Sequence, residues 1–197
     1  MIRVSRPGPA AIQARLNAQG SEPFSYAPVG ASRDIVRAPD GFVLDHGRTR
    51  LGFGRPTFER AKAAVRGWEM FNLGWLELCW PKAEITAGTT VGVLLRLFGV
   101  WSLNACRIVY VTEENGETER FGFAYGTLPD HVESGEERFW VELDHRDDSV
   151  WYDLLAFSRP NRLTVRLGFF YARILQRRFA ADSYRAMARA AARPSTS

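Results

Sequence analysis

Between Val91 and Phe157 apolar residues recur at every second position, which leaves little freedom in what the chain can fold into. Residues two apart share one face of a β-strand, whereas a helix needs a period near 3.6. Val91, Val93, Leu95 and Leu97 alternate first. Ala105, Arg107, Val109 and Val111 follow, set against Cys106, Ile108 and Tyr110. Phe121, Phe123 and Tyr125 continue the pattern, and Phe139, Val141 and Leu143 then alternate with Arg138, Trp140 and Glu142. Val150, Tyr152, Leu154 and Ala156 close the run, set against Trp151, Asp153, Leu155 and Phe157. Asn115-Gly116, at the centre of Glu113–Thr118, is a strong hairpin signal, and His145–Ser149 is a second polar turn. The pattern predicts an antiparallel meander of five or six strands.

The flanks read differently. Residues 1–23 are rich in Pro, Gly and Ser and predict a loosely ordered segment with one short helix across Ala10–Asn17. Phe42–Leu51 predicts a first strand. Thr57 can cap a helix that carries Phe58, Ala61, Val65, Trp68 and Phe71 and ends near Gly74. Ser158-Arg159-Pro160-Asn161 ends the sheet, and residues 162–192 predict a long helix with the stripe Leu163, Leu167, Phe170, Tyr171 and Ile174. Beyond Arg177 the polar face of that helix rotates by more than a quarter turn. Residues 193–197 are a tail, and residues 24–192 read as one domain. A curled sheet must cover its apolar face, and a long helix can lie across it. The expected fold class is α+β, a curled antiparallel β-meander gripping a long C-terminal helix, in the helix-grip plan. That plan often leaves a cavity between sheet and helix.

Composition excludes several alternatives. Apolar residues make up 46% and aromatics 13% of the 197 residues, enough for a substantial core. Two cysteines, Cys79 and Cys106, cannot staple a miniprotein or supply a zinc-ribbon ligand set. The longest nearly apolar run, Val91–Trp101, has 11 residues and contains Arg96, whereas a membrane-spanning helix needs about 20. No secretory signal is visible, and two free thiols then predict a cytoplasmic protein. The net charge of +4 conceals a division: residues 113–153 hold 13 acids against 3 arginines, while residues 155–197 hold 9 arginines against Asp182 alone. The two regions could face each other in the fold.

The run Arg120-Phe121-Gly122-Phe123-Ala124-Tyr125-Gly126-Thr127-Leu128-Pro129-Asp130-His131-Val132-Glu133-Ser134-Gly135-Glu136-Glu137-Arg138-Phe139 carries a resemblance. So do Pro39-Asp40-Gly41-Phe42, Leu51-Gly52-Phe53-Gly54, Asn104–Val111, Ala156-Phe157-Ser158-Arg159-Pro160 and Leu175-Gln176-Arg177-Arg178-Phe179. On these pieces the chain resembles a family of bacteria and plants, domain of unknown function nineteen-ninety, over residues 24–188. Where that family usually has a Gly-Pro pair early in the last helix, this chain has Gly168-Phe169-Phe170. The chain is also distantly similar to the START-like, pollen-allergen-like helix-grip superfamily. The resemblance implies a fold and a site region, not a reaction.

Tyr125–Glu137 is the densest in chemistry. His131, Glu133, Glu136 and Glu137 fall within seven residues. His131 with Glu133 or Glu136 could exchange protons, as a cyclase or hydrolase would require. The same residues could hold a metal, although one local histidine is not a diagnostic ligand pattern. A polar loop whose acids pair with arginines explains them equally well. Arg107 could anchor an anionic head group, and Tyr110 and Tyr125 could orient a ligand through their hydroxyls. Trp140 and Tyr171 suit an apolar cavity wall. Arg178, Arg185 and Arg189 form a basic helix face that could serve an interaction module for nucleic acid or anionic lipid, but without interleaved aromatics, and interrupted by Asp182, it reads first as a solvated face. No motif implies a cofactor: Gly52-Phe53-Gly54 lacks the rest of a dinucleotide fingerprint. The expected partner is a small hydrophobic or amphipathic molecule.

Overall fold

The computed structural model describes residues 2–34, 37–97, 99–161 and 169–193. The elements are β1 (Ile2–Arg3), α1 (Pro9–Gly20), β2 (Val43–Phe53), α2 (Gly54–Arg66), β3 (Leu76–Cys79), β4 (Thr90–Leu97), β5 (Val100–Glu114), β6 (Thr118–Thr127), β7 (Glu133–Asp144), β8 (Ser149–Pro160) and α3 (Phe169–Ala192). All the strands join one antiparallel sheet in the order β2-β8-β7-β6-β5-β4-β3, with β1 paired to β5. The turns between β5 and β6 and between β7 and β8 fall where Asn115-Gly116 and His145–Ser149 predict them. The meander is longer than the alternation suggested, because short β3 joins one edge and β2 pairs with β8 at the other.

The alternation sorts side chains onto two faces. One carries Phe121 and Phe123 of β6, Phe139 and Val141 of β7, and Tyr152 and Leu154 of β8, packed against Phe58, Ala61 and Val65 of α2 and Met187 and Ala191 of α3. This is the expected helix-grip arrangement. Each fully buried aromatic here contributes roughly 1.5–3 kcal/mol by leaving water, so this layer dominates the core. The opposite face is covered as well. Ile12 and Leu16 of α1 are buried against Leu94, Leu103 and Leu128, so the first 23 residues carry a packed helix where their composition suggested loose order. The segment after α1 continues over the same face, with Tyr26 edge-on to Phe157.

Three local readings change. α2 starts at Gly54 rather than at Thr57, whose side chain instead accepts a hydrogen bond from Arg60 at 3.1 Å. It stops at Gly67 because Trp68 turns into the left-handed region at φ 57°, driving its ring against Phe123. Among the described residues, the ion pairs of the acidic stretch are made mostly with arginines outside the terminal helix. Glu119, Glu142, Asp144 and Asp153 pair with Arg55, Arg48, Arg120, Arg146 and Arg138, while Arg178 and Arg185 pair with Asp182 on their own helix. Residues 162–168 and the side chain of Tyr171 lie outside the described residues.

Candidate functional site

A cavity of about 500 Å3 opens between the α2/α3 face of the sheet and the first turns of α3. Its position follows from the rotation along α3. Met187 and Ala191, near the C-terminal end, fill the core, whereas Leu175, Gln176, Phe179 and Ala180 roof a space that the sheet side chains do not fill. Phe71, Trp75, Leu95 and Leu154 complete the apolar wall, and the polar part of the lining includes Glu133, Glu137, Tyr125, Asn104 and His131. On β7, positions 133, 135, 137 and 139 alternate toward α3, which puts the Glu133 and Glu137 carboxyls on the lining.

The polar part of the lining is tightly organised. Gln176 of α3 donates to Glu133 at 2.7 Å and to the Ser158 hydroxyl at 2.8 Å. The Tyr125 hydroxyl donates to Glu137 at 2.8 Å. Burial pushes the Glu133 carboxyl up to about 7, with Gln176 and Arg173 pulling the other way. Burial pushes Glu137 to about 8, despite the Tyr125 bond, and the nearby Glu133 and Asp45 charges add to the rise. At neutral pH Glu137 is therefore chiefly a neutral acid, while Glu133 is poised between its two forms. His131 goes the opposite way. Burial lowers it to about 4, and its Nδ1 accepts the Glu133 backbone N–H at 2.9 Å. It is a neutral brace for the turn into β7 rather than a proton partner of the Glu133 side chain.

The side chains of Glu136, Arg107, Trp140 and Tyr110 make their contacts on the other face of the sheet. The Glu136 carboxylate accepts from Tyr26 (2.5 Å) and from the backbone of Gly30 (2.7 Å) and Ser32 (2.9 Å), and also from the Ser32 hydroxyl. It fastens the covering segment and is separated from Glu133 and Glu137 by the alternation of β7. Arg107 donates to the carbonyls of Gly20 (2.8 Å) and Glu22 (3.0 Å), closing the end of α1. Trp140 lies under the Arg138 guanidinium, 3.7 Å away. Tyr110 bonds Ser32 at 2.7 Å on that face because a β-bulge between Ile108 and Tyr110 shifts the alternation by one residue. Arg107, Tyr110 and Trp140 are not on the cavity lining, whereas Tyr125, His131, Glu133 and Glu136 are, although the Glu136 carboxylate bonds on the other face. Glu137 and Gln176 are the site residues that spacing alone did not single out. Glu137 was legible as the residue four after Glu133 on the same strand face. Gln176 is a polar residue on the side of α3 that meets the sheet.

Among the described residues no group of three or more His, Cys, Asp or Glu side chains could hold a metal ion. No helix among them is long and apolar enough to cross a membrane. On the basic face of α3, Arg178 stacks on Trp75 at 4.7 Å and Arg185 bonds Asp182 at 2.8 Å.

The raised carboxyls make a pH prediction. A carboxyl whose folded pKa lies above its unfolded value holds protons that the unfolded chain has lost, so stability falls as pH rises between the two values. For Glu137 that window runs from the usual carboxylate value of 4.5 to about 8. Glu137→Gln removes this penalty. The variant is expected to gain about 1–3 kcal/mol on the parent between pH 5 and pH 8.5, measured by urea unfolding at each pH. A constant difference across that range would contradict the assignment.

Residues 25–186 match the domain of unknown function DUF1990. The chain is 37% identical over 204 residues to the UPF0548 protein of Deinococcus radiodurans, covering 97% of this chain and 99% of that one. It is 32% identical over 206 residues to the UPF0548 protein of Dictyostelium discoideum, covering 96% and 95% respectively. Among solved structures, Ara h 8.0201 superposes with a TM-score of 0.48 at 10% identity, over 77% of this chain and 98% of that chain. Norcoclaurine synthase from Thalictrum flavum, in complex with dopamine and hydroxybenzaldehyde, superposes with a TM-score of 0.45 at 10% identity, over 80% and 95%.

Proposed function

The chain belongs to the DUF1990 family, and from that premise we propose that it is a cytoplasmic binding protein for one small amphipathic molecule, held between the sheet and α3. The observation that carries the reading is the cavity itself: about 500 Å3, with an apolar wall that includes Phe71, Trp75, Leu95, Leu154 and Phe179 and with polar groups such as Glu133, Glu137 and Tyr125 also on its lining. Ligand pockets are commonly built this way, an apolar wall supplying affinity and a few placed polar groups supplying orientation.

The test is a thermal-unfolding panel of apolar and amphipathic probes on the full chain and on Ala180→Trp, which places an indole in the cavity from α3. A probe at about 100 times its Kd adds about 2.7 kcal/mol, or about 5–10 °C in Tm for a domain of this size. The parent is expected to shift with at least one probe and Ala180→Trp with none. A parent that no probe shifts would overturn the reading.

A second reading is favoured by one observation, a Glu133 carboxyl held near 7 beside the more strongly protonated Glu137. Such a pair can accept and donate a proton within one cavity, as an acid–base enzyme of the cyclase or hydrolase class would need. Under this reading Glu133→Gln abolishes turnover of a bound molecule but leaves its binding intact.

A further inference from the structure

Among the described residues, the acids lining the cavity outnumber the cations. Glu133 and Glu137 stand on the α3 side of β7, and Asp45 stands near them on β2. Asp45 is satisfied by Arg173, which grips it through both terminal guanidinium nitrogens, one of them at 2.6 Å. The hydrogen-bond partners of the Glu133 and Glu137 carboxyls are neutral: Gln176 and Tyr125. His131 is held neutral by burial. The imidazole of His46 is committed to Asp153 at 2.7 Å, and Arg177, the remaining cation on the lining, is exposed to solvent. Each of the two glutamates thus has one carboxyl oxygen bonded to a neutral donor, while the other has no partner among the described residues.

Burying a carboxyl without a cation is costly, and an apolar residue would build the same wall at lower cost. A ligand that carries its own positive charge removes that cost for both groups at once. An ammonium offers three donors on a compact centre and can reach two carboxylates together. A hydroxyl can bond one of them but brings no positive charge that would let both ionise, and a carboxylate brings a further buried negative charge.

We infer that the molecule bound in this cavity is an amphipathic amine, its apolar body against Leu95, Leu154 and Phe179 and its ammonium group on the part of the lining that carries the Glu133 and Glu137 carboxyls. This rests on the cavity-binding reading above and adds a ligand class to it.

The test is calorimetric titration of the full chain with three matched probes: 4-phenylbutylamine, 4-phenylbutan-1-ol and 4-phenylbutanoate. The amine is expected to bind at least about tenfold more tightly than the alcohol, as charge-assisted hydrogen bonds would give, with the carboxylate weakest. In Glu133→Gln/Glu137→Gln, which keeps side-chain size and removes two buried ionisable groups, the advantage of the amine is expected to vanish while alcohol binding persists. Equal or tighter binding of the alcohol, tightest binding of the carboxylate, or an advantage that survives in the double variant would each overturn the amine inference and leave the cavity reading standing. Failure of all three probes to bind would overturn the amine inference, and failure of the wider thermal panel as well would overturn the cavity reading.

Discussion

Arg138→Ala is expected to lower the unfolding free energy by about 3–5 kcal/mol, the cost of breaking a buried ion pair by removing one partner. Arg138 is 7% exposed and Asp153 is 5% exposed. They meet at 2.6 Å on the face of the sheet turned away from α3. Truncation leaves Asp153 buried, with His46 at 2.7 Å as its remaining side-chain partner among the described residues. It also frees the backbone carbonyls of Ser32 and Arg33, to which Arg138 donates at 2.7 and 3.2 Å. The loss should therefore be accompanied by faster proteolysis within residues 24–34, the segment those bonds hold down. Removing both charges, as in Arg138→Met/Asp153→Asn, is expected to recover much of the stability, because no uncompensated charge then remains. Urea unfolding of the parent and both variants measures this. A loss below about 1 kcal/mol for Arg138→Ala would mean that the pair behaves like an exposed one.

Gly122→Ala is the second large effect. Gly122 of β6 lies opposite Trp140 of β7, and a Cβ there would run into the Phe139 carbonyl and the Trp140 ring. The obstructing atoms include backbone, so rotamer changes cannot relieve the clash and β6 must move away from β7. Overpacking of a core typically costs about 1–3 kcal/mol, occasionally more, and a backbone obstacle puts this site at the upper end. The same approach explains why the Phe121-Gly122-Phe123 pattern has no side chain on one face. The aromatics fill the face toward α2 and α3, while the glycine admits the neighbouring strand and the indole. A variant as stable as the parent in urea unfolding would show that the strands can separate without penalty.

Much of this architecture is legible in the residues. The period of two from Val91 to Phe157 and the Asn115-Gly116 turn each have a local physical cause, and each yields the element expected, whereas Ile174 of the expected apolar stripe is exposed. What is not legible depends on distant partners. Thr57 looks like a cap, yet α2 extends to Gly54, where β2 ends. Tyr110 looks equivalent to Ile108, but one bulged residue, which alternation counting passes over, sends it to the other face. The site divides in the same way. Glu133, Glu136 and Glu137 look alike as a string of acids, but strand alternation places two toward the cavity and ties the third to Tyr26 and Ser32. Those partners lie more than 100 residues earlier. No spacing rule reports a contact of that separation, and the second covered face of the sheet was missed for the same reason.

The central claim is that the space between the sheet and α3 is where a small molecule sits. Isotope-filtered NMR on methyl-labelled protein with bound 4-phenylbutan-1-ol tests this directly. Contacts from the probe to the methyls of Leu95, Leu154 and Leu175 are expected, because all three line the cavity from different elements. Contacts confined to exposed methyls such as Val4 or Val29, which are 87% and 47% exposed, would contradict it.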